Sequence, residues 1–380
     1  MTTDSKRIIN VGVLGATGTV GQRFLILLSN HPNFKLIKIG ASKRSSNQTY
    51  QSIVKWKQTV PIPQDFQDLV VSECDPKEFD GCEIIFSGLD SDVSEEIETK
   101  FRLKDFPVFS NSKSFRRDGL CPLVVPLVNP DHLHQIPYQR SQLTSPSYPI
   151  TKGFIVTNAN CSTTGLVVVL KALESSFGPI EKVRMTTFQA ISGGGYPGVS
   201  SLDILDNVIP YIEGEEEKIQ WETQKILGNL STDQTEIILR SNELQTSCNH
   251  TKTNRIDISV TTTRVPVLDG HLSDVSVSFK NKPIPSIDEI QQVLKSYRTD
   301  ANSLQCFSAP QFPIFVHHQI DRPQPRLDRY FQNGSGINIG RIRKCEVLDI
   351  KFIILTNNVS IGAATSSIMN AELTVAKGLI

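Results

Sequence analysis

Apolar residues in the first 160 positions come in short unbroken runs and not in alternation. The run at 8–14, Ile8-Ile9-Asn10-Val11-Gly12-Val13-Leu14, has the composition of a strand buried on both faces. It leads through glycines into Phe24, Leu25, Leu27 and Leu28, which share one side of a helix. Further strands are predicted at 36–39, 83–88, 107–111 and 153–157, with an acidic helical stretch at 91–101 and an apolar helical run at 166–173. Strands that alternate with helices predict a parallel sheet. The second half is of a different kind. Asp274-Val275-Ser276-Val277-Ser278-Phe279-Lys280 alternates with period two, the mark of a half-exposed antiparallel sheet, and strands at 186–191 and 260–267 accompany it. Residues 131–150, rich in Pro, Gln and Ser, read as a surface excursion, and 213–218 as a solvated, charged helix start. Near the C-terminus Ile368, Ala371, Leu373 and Val375 have helical spacing, which predicts a helix packing back on the first lobe.

Length and charge narrow the classes. A chain of 380 residues exceeds what one core usually fills, so two lobes are expected, an α/β lobe with a parallel sheet and an α+β lobe. Lys plus Arg (39) equals Asp plus Glu (39), which argues against a nucleic-acid or membrane surface as the main partner. No apolar run approaches the roughly 20 residues of a spanning helix, and Met1-Thr2-Thr3-Asp4-Ser5-Lys6-Arg7 carries no apolar signal region, so a cytoplasmic protein is expected. Seven scattered cysteines without metal-ligand spacing fit a reducing compartment and no metal site.

The first candidate site follows the first strand. Gly15-Ala16-Thr17-Gly18-Thr19-Val20-Gly21 is a GxxGxxG variant of the dinucleotide fingerprint: glycines let the backbone approach a pyrophosphate whose charge the helix N-terminus favours. Where an NAD site would place a carboxylate, after the second strand, stand Ser42, Lys43, Arg44 and Ser45, groups suited to a ribose 2′-phosphate, so NADP is expected. Ser87, Gly88, Ser110 and Asn111 lie at strand carboxyl ends, where open sheets bind ligands, and Arg116 follows in a basic loop.

The second candidate site is Asn158-Ala159-Asn160-Cys161-Ser162-Thr163-Thr164-Gly165, a strand end running into a helix start. Free backbone N–H groups and the helix dipole favour a thiolate there, which makes Cys161 a candidate nucleophile; taken alone, it reads sooner as a small buried side chain. Gln189 ends a strand before the glycine-rich loop at 192–198. Arg264 lies inside an apolar strand, where it needs an anion, and His271 follows a turn as a candidate acid or base. Cysteine with histidine points to acyl transfer through a thioester.

Taken together, 15–21, Asn160-Cys161-Ser162, the loop at 192–198, 215–218, 264–271 and 321–329 resemble aspartate-semialdehyde dehydrogenase of the archaeal and fungal branch, in motif order and over essentially the whole chain. The resemblance implies a Rossmann-type NADP-binding domain at 1–158 completed by 356–380, and a catalytic and dimerisation domain at 159–355. It implies Cys161 as nucleophile, His271 as acid/base and Gln189 as the residue that positions them. Arg264 would take the substrate α-carboxylate, Glu215 its amino group, and Lys218, Arg116 and Asn111 the phosphate. Gly15, Thr17, Gly18, Thr19, Val20, Ser42, Arg44, Ser45, Ser87, Ser192, Gly193 and Asn357 would hold NADP. The implied reaction is NADPH-dependent reduction of L-4-aspartyl phosphate to L-aspartate 4-semialdehyde, with no metal, in a homodimer or homotetramer. A malonyl-CoA reductase of the same fold and a non-catalytic NADP-binding regulatory protein are the alternatives. One departure stands out: Asn357-Asn358-Val359-Ser360-Ile361-Gly362 lacks the arginine usual in that segment.

Overall fold

The computed structural model describes residues 7–145, 147–240 and 255–380; the N-terminal residues 1–6, read above for a signal region, and Cys248 lie outside the described residues. Two compact units emerge, one of Met1–Pro122, Leu133–Asn158 and Ala364–Ile380, the other of Leu123–His132 and Ala159–Ala363.

The first unit runs β1 (Ile9–Leu14), α1 (Thr19–Leu28), β2 (Phe34–Ala41), the one-turn helices α2 (Tyr50–Ile53) and α3 (Gln64–Gln67), and β3 (Val71–Glu73). It continues through β4 (Ile84–Ser87), α4 (Ser91–Leu103), β5 (Pro107–Ser110), α5 (Ile136–Leu143) and β6 (Phe154–Thr157). All six strands are parallel, in the order β3-β2-β1-β4-β5-β6. The order reverses between β1 and β4, the point where such sheets open a crevice at their carboxyl ends. Both faces are filled, as period two requires. Phe86, Phe109 and Phe154 point one way, with Phe24 stacked on Phe86 at 5.2 Å. Ile85, Val108 and Ile155 point the other way, toward Phe79 and Phe101, whose rings meet edge-on at 5.2 Å. Each side chain buried in this way stabilises the unit by roughly 1.5–3 kcal/mol.

Within 131–150 the described residues from 141 on are mostly exposed, as a surface excursion predicts, but the first ten are not. A 3-10 turn over Pro130–Gln135 leads into α5, and Gln139 is fully buried. Its Nε2 donates to the Leu120 and Ile155 carbonyls (2.7 and 3.0 Å) while its Oε1 accepts the Ile155 N–H at 2.6 Å. The amide thus takes the place of a neighbouring strand at the β6 edge, so a polar composition here serves burial.

The second unit contains α6 (Cys161–Phe177), β7 (Ile180–Gln189), α7 (Ser201–Ile204), α8 (Glu215–Ile226), the hairpin β8 (Asn229–Leu230) and β9 (Ile237–Ile238), β10 (Asp257–Arg264) and β11 (His271–Phe279). After these come α9 (Ile287–Ser296), α10 (Asp300–Ser303), β12 (Ile314–Val316), α11 (Pro325–Asp328), β13 (Ile337–Lys344) and β14 (Ile350–Thr356). The large sheet is mixed, in the order β10-β7-β11-β14-β13-β12, with β10 parallel to β7 and β12 parallel to β13. β11 is antiparallel to both neighbours, as its alternation predicts. Helix α6 packs on β14, α8 and α9. Beyond Ala364 the chain rejoins the first unit as α12 (Thr365–Ala376), which packs on β4 and β5.

Helix α4 reads as an acidic stretch, and within it Glu98 is fully buried, with Oε1 accepting from the hydroxyls of Ser87 (2.6 Å) and Ser110 (2.8 Å). Burial raises its carboxyl to about 7, against the opposing pull of those hydroxyls and of Arg102. Because the folded value lies above the unfolded one, the fold keeps a proton that the unfolded chain releases, and stability falls as pH rises from about 4.5 to about 7. Glu98→Gln, which keeps the acceptor, is expected to flatten the unfolding free energy across that window in urea titrations at several pH values.

Candidate active site

Cys161 is the first residue of α6, and the local sequence explains why the helix starts there. Asn160 is extended (φ −54°, ψ 144°) and its Oδ1 caps the helix by accepting the N–H groups of Ser162 (2.9 Å) and Thr163 (3.3 Å). Two buried glutamates of α8 fix Asn160 in turn. Its Nδ2 donates to Glu215 Oε2 at 2.7 Å and its backbone N–H to Glu222 Oε2 at 2.6 Å. Small residues let this helix end press against the sheet. A Cβ on Gly165, one turn along, would lie 1.8 Å from Thr356 Oγ1, and one on Gly362 would lie 2.8 Å from Cys161 Cβ. Thr356 is the register partner of His271, so the thiol and the imidazole belong to the same end of the sheet.

Gln189 and Arg264 are register partners at the carboxyl ends of β7 and β10. Arg264 Nη1 donates to Ala190 O at 2.9 Å and more loosely to Gln189 Oε1 at 3.5 Å. Its Nε and Nη2 make no hydrogen bond among the described residues, which leaves a two-donor edge of the kind that takes a carboxylate. Burial pulls the guanidinium below its usual range, opposed by the negative charges of Cys161 and Glu215. His271 is buried, and its Nδ1 accepts the Ala190 N–H at 3.1 Å. That bond fixes the proton of the neutral ring on Nε2, which is buried without a partner. Burial first, and Arg264 second, bring the ring down to about 3. Gly193 closes over both groups, since a Cβ there would lie 2.7 Å from Arg264 Nη1 and 3.0 Å from His271 Nε2.

Cys74 and Cys82 offer no rival nucleophile: burial raises their thiols to about 11 and about 12. Among the described residues no group of three or more His, Cys, Asp or Glu could hold a metal, and no helix is long and apolar enough to cross a membrane.

In the first unit a cavity of about 470 Å³ opens where the strand order reverses, lined by Gly15, Thr17, Gly18, Ser42, Lys43 and Gly88 among others. Gly15 has φ 71°, and a Cβ on it would lie 2.6 Å from Gly88 O, so the tight turn needs glycine twice over. Gly18, the N-cap of α1, provides no capping side chain, so the helix start stays open to an anion. Ser42, Lys43 and Arg44 stand exposed on a 3-10 turn at the end of β2. These donors and cations fit a phosphorylated dinucleotide.

Known proteins agree on the lineage. The family models described as "Semialdehyde dehydrogenase, NAD binding domain" and "Semialdehyde dehydrogenase, dimerisation domain" match residues 10–136 and 170–361. Aspartate-semialdehyde dehydrogenase of Cryptococcus neoformans is 55% identical over 98% of both chains, and that of Saccharomyces cerevisiae 47% identical over 97% of this chain and 98% of its own. The chain belongs to the aspartate-semialdehyde dehydrogenase family. The crystal structure of the Candida albicans aspartate semialdehyde dehydrogenase with NADP aligns with a TM-score of 0.87 at 45% identity, covering 98% of this chain and all of that one. The Vibrio cholerae enzyme II complexed with ASA aligns at 0.72 with 25% identity, over 97% and 99%.

Set against the aspartate-semialdehyde dehydrogenase reading of the sequence, the structure joins Cys161, Gln189, Glu215, Arg264, His271 and Gly193 in one unit through Asn160 and Ala190. Lys218 is there too, paired with Glu215 Oε1 at 2.9 Å. Glu215 is buried, which corrects the solvated helix start expected at 213–218. Three expected ligand residues have side chains hydrogen-bonded within the fold. Ser87 is buried and gives its hydroxyl to Glu98. Asn111 donates to Ser87 O and Ser367 Oγ (3.0 Å each) and accepts from Asn158 at 2.8 Å. Asn357 donates to Arg329 O and accepts the N–H groups of Val359 and Ser360, bracing the turn that brings Gly362 to Cys161. Arg116 donates to Asn111 O at 3.0 Å. Ser192 Oγ accepts from Asn358 at 2.8 Å. Thr19 and Val20 lie in the first turn of α1 and Ser45 closes the 3-10 turn. The sequence reading missed Asn160, Glu222, and the cavity-lining Glu73 and Asp75; capping Asn before Cys161 was the available signal for the first.

Two outcomes follow for this site. Asn160→Ala, which removes the cap and the amide's bond to Glu215, is expected to lower stability by about 1–2 kcal/mol in denaturant melts. In NMR titrations the His271 ring is expected to keep one chemical shift from pH 8 to pH 5, and its folded-state penalty to appear as stability lost below about 6.5 as pH falls toward 3.

Proposed function

We propose that the chain reduces L-4-aspartyl phosphate to L-aspartate 4-semialdehyde with NADPH and releases phosphate, on the route to lysine, threonine and methionine. The observation that carries this reading is the unpartnered Nε2–H of His271, which shares the space over Gly193 with the Arg264 guanidinium, at the sheet end on which Cys161 is seated.

Cys161 Sγ attacks the acyl carbon; a C–S bond forms, the bond to the phosphate oxygen breaks, and inorganic phosphate leaves a thioester behind. NADPH, when bound, supplies the hydride that reduces the thioester carbonyl to the aldehyde level. The sulfur that leaves as the C–S bond breaks is the thiolate that attacked, so Cys161 needs neither to gain nor to lose a proton over the cycle. This places a different demand on His271 from the acid/base role implied by resemblance. With Nδ1 engaged by the Ala190 N–H, the neutral ring offers Nε2–H to stabilise the developing oxyanion. Arg264 takes the α-carboxylate on its free edge, Glu215 takes the amino group, and Lys218 with Arg116 takes the phosphate. Gly15, Thr17, Gly18, Thr19 and Val20 would receive the pyrophosphate, and Ser42, Arg44 and Ser45 the 2′-phosphate, with the backbone of Ser192 and Gly193 completing the site. From the dimerisation model over the second unit we infer a homodimer or homotetramer, checked by sedimentation, and from the biosynthetic role a cytoplasmic location.

Purified protein given aspartate semialdehyde, phosphate and NADP is expected to form NADPH, and Cys161→Ala to lower the rate by about a thousandfold or more. Folded protein that makes no NADPH, or a rate indifferent to Cys161→Ala, would overturn the reading; faster turnover with malonyl-CoA would redirect it to an acyl-CoA donor.

A further inference from the structure

The carbonyl groups of the glycine turn are held from behind by three side chains. Tyr50 Oη donates to Ala16 O at 2.8 Å, Gln22 Nε2 to Thr17 O at 2.8 Å, and Gln58 Nε2 to Thr19 O at 3.3 Å. The two ends of a planar trans peptide point in opposite directions. Holding the Ala16 carbonyl therefore turns the Thr17 N–H the other way, and holding the Thr19 carbonyl does the same for Val20. Neither N–H has a hydrogen-bond partner among the described residues, whereas the Gly18 N–H between them closes the turn on Gly15 O at 3.0 Å.

The three side chains form one assembly. Gln22 is buried, at 1% exposure, and its amide also binds a strap of chain after α2: Nε2 donates to Lys55 O at 3.1 Å and Oε1 accepts the Lys57 N–H at 2.7 Å. Tyr50 is wholly buried, which pushes its phenol up and keeps it a donor. The Trp56 ring meets Tyr50 edge-on at 6.4 Å and anchors the strap through Nε1 to Val60 O at 2.6 Å.

We propose that Tyr50, Gln22 and Gln58 are positioning residues for the dinucleotide: by holding the carbonyls of 16 and 19, Tyr50 and Gln58 aim the N–H groups of Thr17 and Val20 at its pyrophosphate, while Gln22 keeps the Thr17 carbonyl turned away from it. The strap at 54–58 then belongs to the binding site without touching the ligand. The chemistry behind this is electrostatic. A carbonyl facing a pyrophosphate repels it, so an anion cradle made of backbone depends on where every carbonyl of the turn goes.

The inference rests on the NADP reading above, and calorimetry on the full chain separates the two. Two ligands are titrated: NADP, and adenosine 2′-phosphate, which carries the 2′-phosphate but no pyrophosphate. Tyr50→Phe and Gln22→Met are each expected to raise the Kd for NADP about three- to tenfold, the factor one ordinary hydrogen bond amounts to, and to leave that for adenosine 2′-phosphate unchanged. Parallel losses for both ligands would mark a merely structural role and overturn the proposal. So would an unchanged NADP affinity in Tyr50→Phe, the milder variant, which decides the matter should Gln22→Met fail to fold. An unaltered chain that binds neither ligand would remove the NADP reading itself.

Discussion

The second unit's chemistry depends on the hydrogen bonds of one neutral side chain and its peptide. Asn160 caps α6 with its carbonyl oxygen, gives its amide to Glu215 and its backbone N–H to Glu222, and so ties the helix that begins with Cys161 to the helix that carries both carboxylates. Buried carboxylates are expensive unless hydrogen-bonded and paired. Here Glu215 has Lys218 and Asn160, and Glu222 has a peptide N–H, so both charges are tolerated within a turn or two of a thiol that must itself become negative. Rigid placement of the sulfur and tolerance of two neighbouring anions are one problem, and the same residue answers both.

The cations are arranged with equal economy. Arg264 engages its Nη1 with Ala190 and Gln189 and keeps its other edge free, so it is fixed in direction before any substrate arrives. After burial, its charge helps keep His271 neutral, which leaves the Nε2–H of that ring as a donor. Gly193 is required because any side chain would enter the space these two groups share.

How much of this the sequence carried depends on whether the deciding interaction is local. The turn at 15–21 is legible because its demands fall on consecutive residues: a positive φ at Gly15 and close packing at Gly21 are satisfied by glycine and by nothing larger. Cys161 is legible because strand end, capping Asn and helix start follow one another. Polar residues whose partners lie far along the chain are less legible. Ser87 and Asn111 end strands at the ligand edge, and either could have faced a cofactor; Glu98, eleven residues on, and Ser367, from the returning C-terminal helix, draw them inward. Glu215 reads as part of a solvated helix start because charge is a property of the residue while its neutralisation is a property of the fold.

The two anion sites show why one kind of helix start can serve opposite purposes. At α6 the N–H groups of Ser162 and Thr163 are already taken by Asn160, so the helix end has little left to offer a ligand and its favourable field falls on the chain's own sulfur at the first position. At α1 the N-cap is Gly18, which has no side chain to compete, and the free N–H groups remain for an anion brought from outside. A single choice, asparagine or glycine at the residue before the first turn, therefore decides whether a helix start spends its N–H groups within the chain or leaves them open.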